Sequence, residues 1–121
     1  MNRIYSCDEA HIKQLFVGRR VVAADLEQQT LTLDDGTIYD VEGNEGGCSC
    51  GNGDYDITAL NVFDNVITNC EIATSVDGWG NSENVLLFVY AAGGNSVELI
   101  RSEGYDNGYY GTGFSIKVRL P

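Results

Sequence analysis

Val85-Leu86-Leu87-Phe88-Val89-Tyr90 is the stretch on which the fold turns. It is a continuous apolar run, too short for a helix of ordinary length and bounded by Ala92-Gly93-Gly94-Asn95. A run of that length with a glycine turn behind it reads as a central strand, apolar on both faces. Ser96-Val97-Glu98-Leu99-Ile100 then pairs back against it. Further out, Phe114 to Leu120 alternates, with Phe114, Ile116, Val118 and Leu120 expected inward. On the other side, Cys70–Val76 and Tyr55–Leu60 read as strands. Val62, Phe63, Val66 and Ile67 are spaced for a short helix or turn.

The first third carries the same period. Arg20–Leu26, Thr30–Leu33 and Thr37–Val41 are strand-like, and Asp34-Asp35-Gly36 is a hairpin signal because Gly accepts positive φ. Residues 6–17 form the one expected helix. Ser6 is placed as N-cap with Glu9 closing a capping box, Ile12, Leu15 and Phe16 form the apolar face, and Gly18 is the stop. About three turns is too short to be stable alone, so this helix must pack on a sheet. The chain has 121 residues, 15 of them Gly and seven Tyr, with a single Pro at the end. That composition favours a turn-rich β protein, read as a single domain over residues 1–121. The expected class is α+β, mainly β: a strongly bent antiparallel sheet or a small barrel of six to eight short strands with one N-terminal helix.

Charge is distributed unevenly. Val21 to Ile100, 80 residues, contains no Lys or Arg and 14 acids. The formal net charge is −11, which excludes the basic footprint of an ordinary nucleic-acid binder. No apolar run reaches the roughly 18 residues needed to span a bilayer, and no secretion signal is visible. Such a layout predicts a broad negative field with basic patches at the two ends. Solubility alone accounts for it; so does attraction to a basic protein surface.

Chemistry-bearing residues are few. Cys48 and Cys50 form a C-x-C pair in a glycine loop and are the candidate zinc ligands, with His11, Cys7 or Cys70 available to complete a set. Free thiols, with Cys70 in the core, are the simpler reading. The acidic turns 52–56 and 77–83 offer oxygen donors but do not follow the order of a known calcium loop. His11 is the only histidine, and no nucleophile elbow, zinc-protease or phosphate-loop motif occurs. The chain is therefore expected not to be an enzyme and to need no cofactor. Tyr105, Tyr109 and Tyr110, set among glycines, resemble a recognition loop, with Glu103 and Asp106 beside them and Trp79 as a second anchor.

Gly18-Arg19-Arg20-Val21-Val22, the Leu31-Thr32-Leu33-Asp34-Asp35-Gly36-Thr37-Ile38-Tyr39 hairpin, a Cys-bearing acidic loop before Asp56-Ile57, and Leu86–Tyr90 followed by Glu98–Arg101 and Gly108-Tyr109-Tyr110 occur in that order. This pattern, over residues 18–120, resembles an uncharacterised family of small acidic proteins encoded by bacteriophages of actinobacteria. Relatives often carry the two loop cysteines adjacent, whereas Ser49 separates them here. The resemblance implies a phage setting and the host cytoplasm. The expected role is a non-enzymatic accessory protein that binds a host or phage macromolecule through an acidic, Tyr-bearing surface. Its expected partner is a basic protein surface, with no direct nucleic-acid or membrane contact. A zinc module on Cys48 and Cys50, or a DNA-mimic inhibitor, are the alternatives. An exposed edge strand could pair across a two-fold axis, and the sequence leaves the oligomeric state open.

Overall fold

The computed structural model describes residues 3–43, 55–76, 82–105 and 113–120. Among these are nine strands and one helix. In chain order they are β1 (Arg3–Tyr5), α1 (Glu9–Phe16), β2 (Val21–Asp25), β3 (Thr30–Leu33), β4 (Ile38–Gly43), β5 (Asp56–Leu60), β6 (Ile67–Val76), β7 (Ser82–Ala91), β8 (Ser96–Tyr105) and β9 (Phe114–Arg119). The strands form two antiparallel sheets, ordered β1-β9-β4-β3-β2 and β5-β8-β7-β6. The mainly β class with one helix is as expected. The barrel is not: each sheet keeps two edges, and the expected six to eight strands become nine.

The additional strand is β1. Three residues carry too little periodicity to be read, and Arg3–Tyr5 is held only because β9 returns from the far end of the chain to pair with it. This also displaces the helix start. Ser6, expected as N-cap, is buried, and its Oγ accepts from the Phe114 N–H at 3.2 Å. Asp8 caps instead, its side chain accepting from the His11 backbone N–H. Gly18 ends the helix as expected, with φ +85°. Phe63, expected in a helix or turn, forms a bridge with Val21, and Ile67 opens β6.

Inward residues of both sheets and the helix form one apolar cluster. Leu31, Tyr39, Val41 and Ile116 come from the first sheet, Leu87, Val89, Leu99 and Ile100 from the second, and Ile12 and Phe16 from α1. The Phe16 and Tyr39 rings meet edge-on, 5.2 Å between centroids. The Tyr39 hydroxyl donates to the Leu15 carbonyl at 2.5 Å. A bulge near Leu87/Phe88 leaves Leu99 without a cross-strand partner and lets it turn inward beside Ile100. Leu120, expected inward, lies beyond the end of β9 and is 76% exposed. At the β4–β5 junction a Cβ on Gly43 would collide with the Tyr55 carbonyl, so only glycine fits that approach. The long edge strand β6 is partly guarded by the helix, whose Glu9 carboxylate accepts from the Ile72 N–H at 3.0 Å.

Candidate functional site: the outer face of the second sheet

Strand alternation defines this face. Along β7, Val85, Leu87 and Val89 point into the core, so Leu86, Phe88 and Tyr90 stand on the opposite side. Leu86 is 7% exposed and yet lies outside the core cluster. Register places these three in successive rows: Ala73–Leu86–Arg101–Ala59, Glu71–Phe88–Glu98 and Asn69–Tyr90–Ser96. The row Ser75–Asn84–Glu103–Asp56 lies beyond Leu86. Residues directly opposite in such rows are near neighbours, so Phe88 sits between two glutamates.

Four carboxylates thus frame an apolar stripe. Arg101 is the only cation on this face among the described residues. It donates from Nε and Nη2 to Glu98 Oε1, at 3.1 and 2.8 Å, and its Nη1 is 4.0 Å from Glu103. Glu71 and Asp56 are exposed and have no cationic partner among the described residues. Asn84 is 4% exposed. Its amide donates to Ser75 Oγ at 3.3 Å, while its carbonyl oxygen is buried with no partner among the described residues. A buried acceptor left unbonded costs about 1–3 kcal/mol.

The outer face of the first sheet is built otherwise. Arg3 bonds Glu42, and Arg119 bonds both oxygens of Asp40 at 2.7 and 3.0 Å. Outside the strands, Arg19 bonds Asp35 of the β3–β4 turn, and Arg20 reaches Asp64 of the β5–β6 connection at 3.1 Å. All five arginines meet a carboxylate. The arginines of the expected basic patches are therefore paired, while Lys13 and Lys117 have no ion pair among the described residues. Asp35 is held below the usual carboxylate range, first by the Thr37 N–H, then by the Thr37 hydroxyl and Arg19.

Of the expected contact residues, Glu103 lies on the acidic face. Tyr105 is the last residue of β8, in register with Ser82, so it belongs to a strand rather than to the start of a loop. Trp79, Asp106, Tyr109, Tyr110, Cys48 and Cys50 lie outside the described residues. Cys70 is buried as expected, and burial pushes its thiol up to about 11. Cys7 is exposed. His11 is exposed on the helix and bonds Asp8 through Nδ1, which holds the Asp8 carboxyl below its usual value. Among the described residues no three His, Cys, Asp or Glu side chains cluster as metal ligands. No described helix is long and apolar enough to cross a membrane.

From the sequence, Leu86, Phe88 and Tyr90 read only as part of a buried central strand. The signal for a face was present, since Glu71 and Glu98 flank them, but it required the register.

These features define a two-sheet antiparallel β protein with one acidic, apolar-centred face. Residues 14–116 match a family described as a domain of unknown function, DUF7448, and the chain belongs to that family. No curated protein and no solved structure matches it.

Proposed function

We propose that the protein is a non-enzymatic binding module that docks a basic macromolecular partner on the outer face of the β5-β8-β7-β6 sheet. The observation that carries this reading is Phe88 set between Glu71 and Glu98 on a face where four carboxylates meet one guanidinium. An aromatic ring ringed by acids suits a partner that offers Lys or Arg around an apolar centre. The ring supplies affinity, and the carboxylates supply orientation and association rate. The sequence reading adds Tyr105, Asp106, Tyr109, Tyr110 and Trp79 as contact residues, of which only Tyr105 lies within the described residues. In this reading the setting is the cytoplasm of a phage-infected host, and the partner is a host or phage protein.

The test starts with pull-down from host lysate at low and moderate salt, followed by titration of the retained protein in pure form. Phe88→Ala should weaken binding by about 1–4 kcal/mol with the melting temperature nearly unchanged. Tyr109→Ala and Tyr110→Ala should act in the same direction. Glu71→Lys should slow association and flatten its salt dependence. Retention of nothing at low ionic strength, or equal affinity of the Phe88→Ala protein, removes the proposal.

A further inference from the structure

The last row of the second sheet has a feature that partner docking does not use. Ser75, Asn84, Glu103 and Asp56 stand side by side there, on β6, β7, β8 and β5. Their strand neighbours Val85 and Ile57 lie in the core, so the row itself faces outward. Residues directly opposite in antiparallel strands have Cβ atoms about 4.5–5.5 Å apart. Glu103 is therefore within side-chain reach of both Asn84 and Asp56.

Asp56 and Glu103 are like charges in direct opposition, an arrangement that destabilises a sheet. Asp56 has no ion pair among the described residues. Arg101 gives its two short bonds to Glu98 and stays 4.0 Å from Glu103. Two carboxylates alone do not make a site; the independent signal is Asn84. It is 4% exposed, and its Oδ1 is buried with no partner among the described residues. Its Nδ2 is held by Ser75 Oγ, on the β6 side. A carboxamide carries its nitrogen and oxygen on opposite edges, so Oδ1 faces away from Ser75, toward Glu103. A buried acceptor is thus turned toward two carboxylates, which are acceptors as well.

We propose that this row binds a calcium ion through Asn84 Oδ1 and the carboxylates of Glu103 and Asp56, with water in the remaining positions. The ion offsets the repulsion between the two acids and gives Oδ1 the positive partner it lacks. All three donors are hard oxygens, which select against metals that take thiolate or imidazole. Calcium accepts about six to eight oxygens in irregular arrangements, amide carbonyls and bidentate carboxylates among them. Donors spaced by strand register suit it better than magnesium, which demands near-ideal octahedral geometry. With two charged ligands and much water, Kd is expected on the order of 10⁻⁴–10⁻³ M. The acidic turns 52–56 and 77–83 lack the order of a known calcium loop. Strand pairing supplies what that order would have given: Asp56 at the end of one turn and Asn84 just past the other, on either side of Glu103.

The test is a nitrogen-edited NMR titration of the full chain with calcium chloride at constant ionic strength, after metal is stripped and the chelator removed. The amides of Asp56, Asn84 and Glu103 and the Asn84 side-chain NH2 should shift saturably, and magnesium at equal concentration should not saturate them. Glu103→Gln should weaken calcium binding about tenfold. Asp64→Asn removes an equal charge elsewhere and should leave binding unchanged. Asn84→Asp keeps the oxygen, adds a charge and should tighten binding several-fold. Absence of saturable shifts overturns the proposal, as does magnesium binding as tightly as calcium. So does equal weakening by Asp64→Asn, which marks diffuse attraction to an acidic surface. Weaker binding in the Asn84→Asp protein overturns it too, because the amide would then serve as a donor to Glu103. Calcium binding is read with the metal alone and partner docking with Phe88→Ala, two rows away, so either reading can fail without the other.

Discussion

The two sheets are alike inside and opposite outside. Both turn aliphatic side chains into one core, yet the first sheet covers its outer face with paired charges and the second with an apolar stripe among largely uncompensated acids. The difference follows from chain order. The first sheet receives β1 and β9, and with them Arg3, Lys117 and Arg119 from the two ends of the chain. The second is built almost wholly from the stretch without Lys or Arg, and gains only Arg101 near its boundary. Segregation of charge in sequence thus becomes segregation by sheet. A face on which four carboxylates share one described cation, Arg101, keeps the negative charge that attracts a basic partner.

The largest effect should separate inside from outside on a single strand. Leu87 is fully buried in the core, and Leu87→Ala should lower stability by about 2–5 kcal/mol in chemical denaturation. Leu86→Ala, on the outer face, should cost clearly less. Equal costs would mean that the outer stripe is structural, and the contrast between the faces would break. Next comes Phe88→Ala, whose loss should fall on partner affinity rather than on melting temperature, as set out above.

Tyr39 tests the link between core and helix. Tyr39→Phe removes the donor to the Leu15 carbonyl and should cost about 1 kcal/mol. Burial raises the Tyr39 phenol from its ordinary 10.0 to about 12. Above pH 10 the unfolded chain releases that proton while the native state keeps it, so the unfolded state binds fewer protons. Stability contributed below pH 10 is therefore lost as pH rises from about 10 to 12. Denaturation midpoints across that window should fall less steeply in the Tyr39→Phe protein.

Asn84→Leu sharpens the comparison further. Because its carbonyl oxygen is buried without a partner among the described residues, an apolar side chain of similar size should leave stability unchanged or raise it by about 1 kcal/mol. A large loss would show that the amide is satisfied in solution. The smallest effect belongs to the neutralised face. Arg119→Gln breaks an exposed ion pair with Asp40 and should not shift the melting temperature measurably. A clear shift would show that the charge pairs of the first sheet stabilise it, which exposed pairs seldom do.

Much of the fold was legible along the chain. The Asp34-Asp35-Gly36 hairpin forms where its glycine signal puts it, with Gly36 at φ +89°. The Ala92–Asn95 turn likewise has Gly93 and Gly94 at positive φ. Both depend on local backbone freedom, which a few residues encode. Ser6 misled because a capping box is also local, and a non-local bond to Phe114, 108 positions away, outcompeted it. The strand β8 extends to Tyr105, past the Leu99–Ile100 bulge that interrupts its alternation. The candidate site was half legible: Glu103 was singled out, whereas Glu71, Glu98 and Phe88 are brought into one row only by pairing three strands.

By itself the sequence determined the periods, the turns, the helix and the uneven charge, because each is set by neighbours a few residues apart. Tertiary structure decided which edges pair. It brought the two ends of the chain together, so that arginines from the termini neutralise one sheet, and it left the acids of the cation-free stretch around Phe88 on the other. The physical reason is that strand pairing and register are governed by burying a shared core over long separations, which no local pattern specifies.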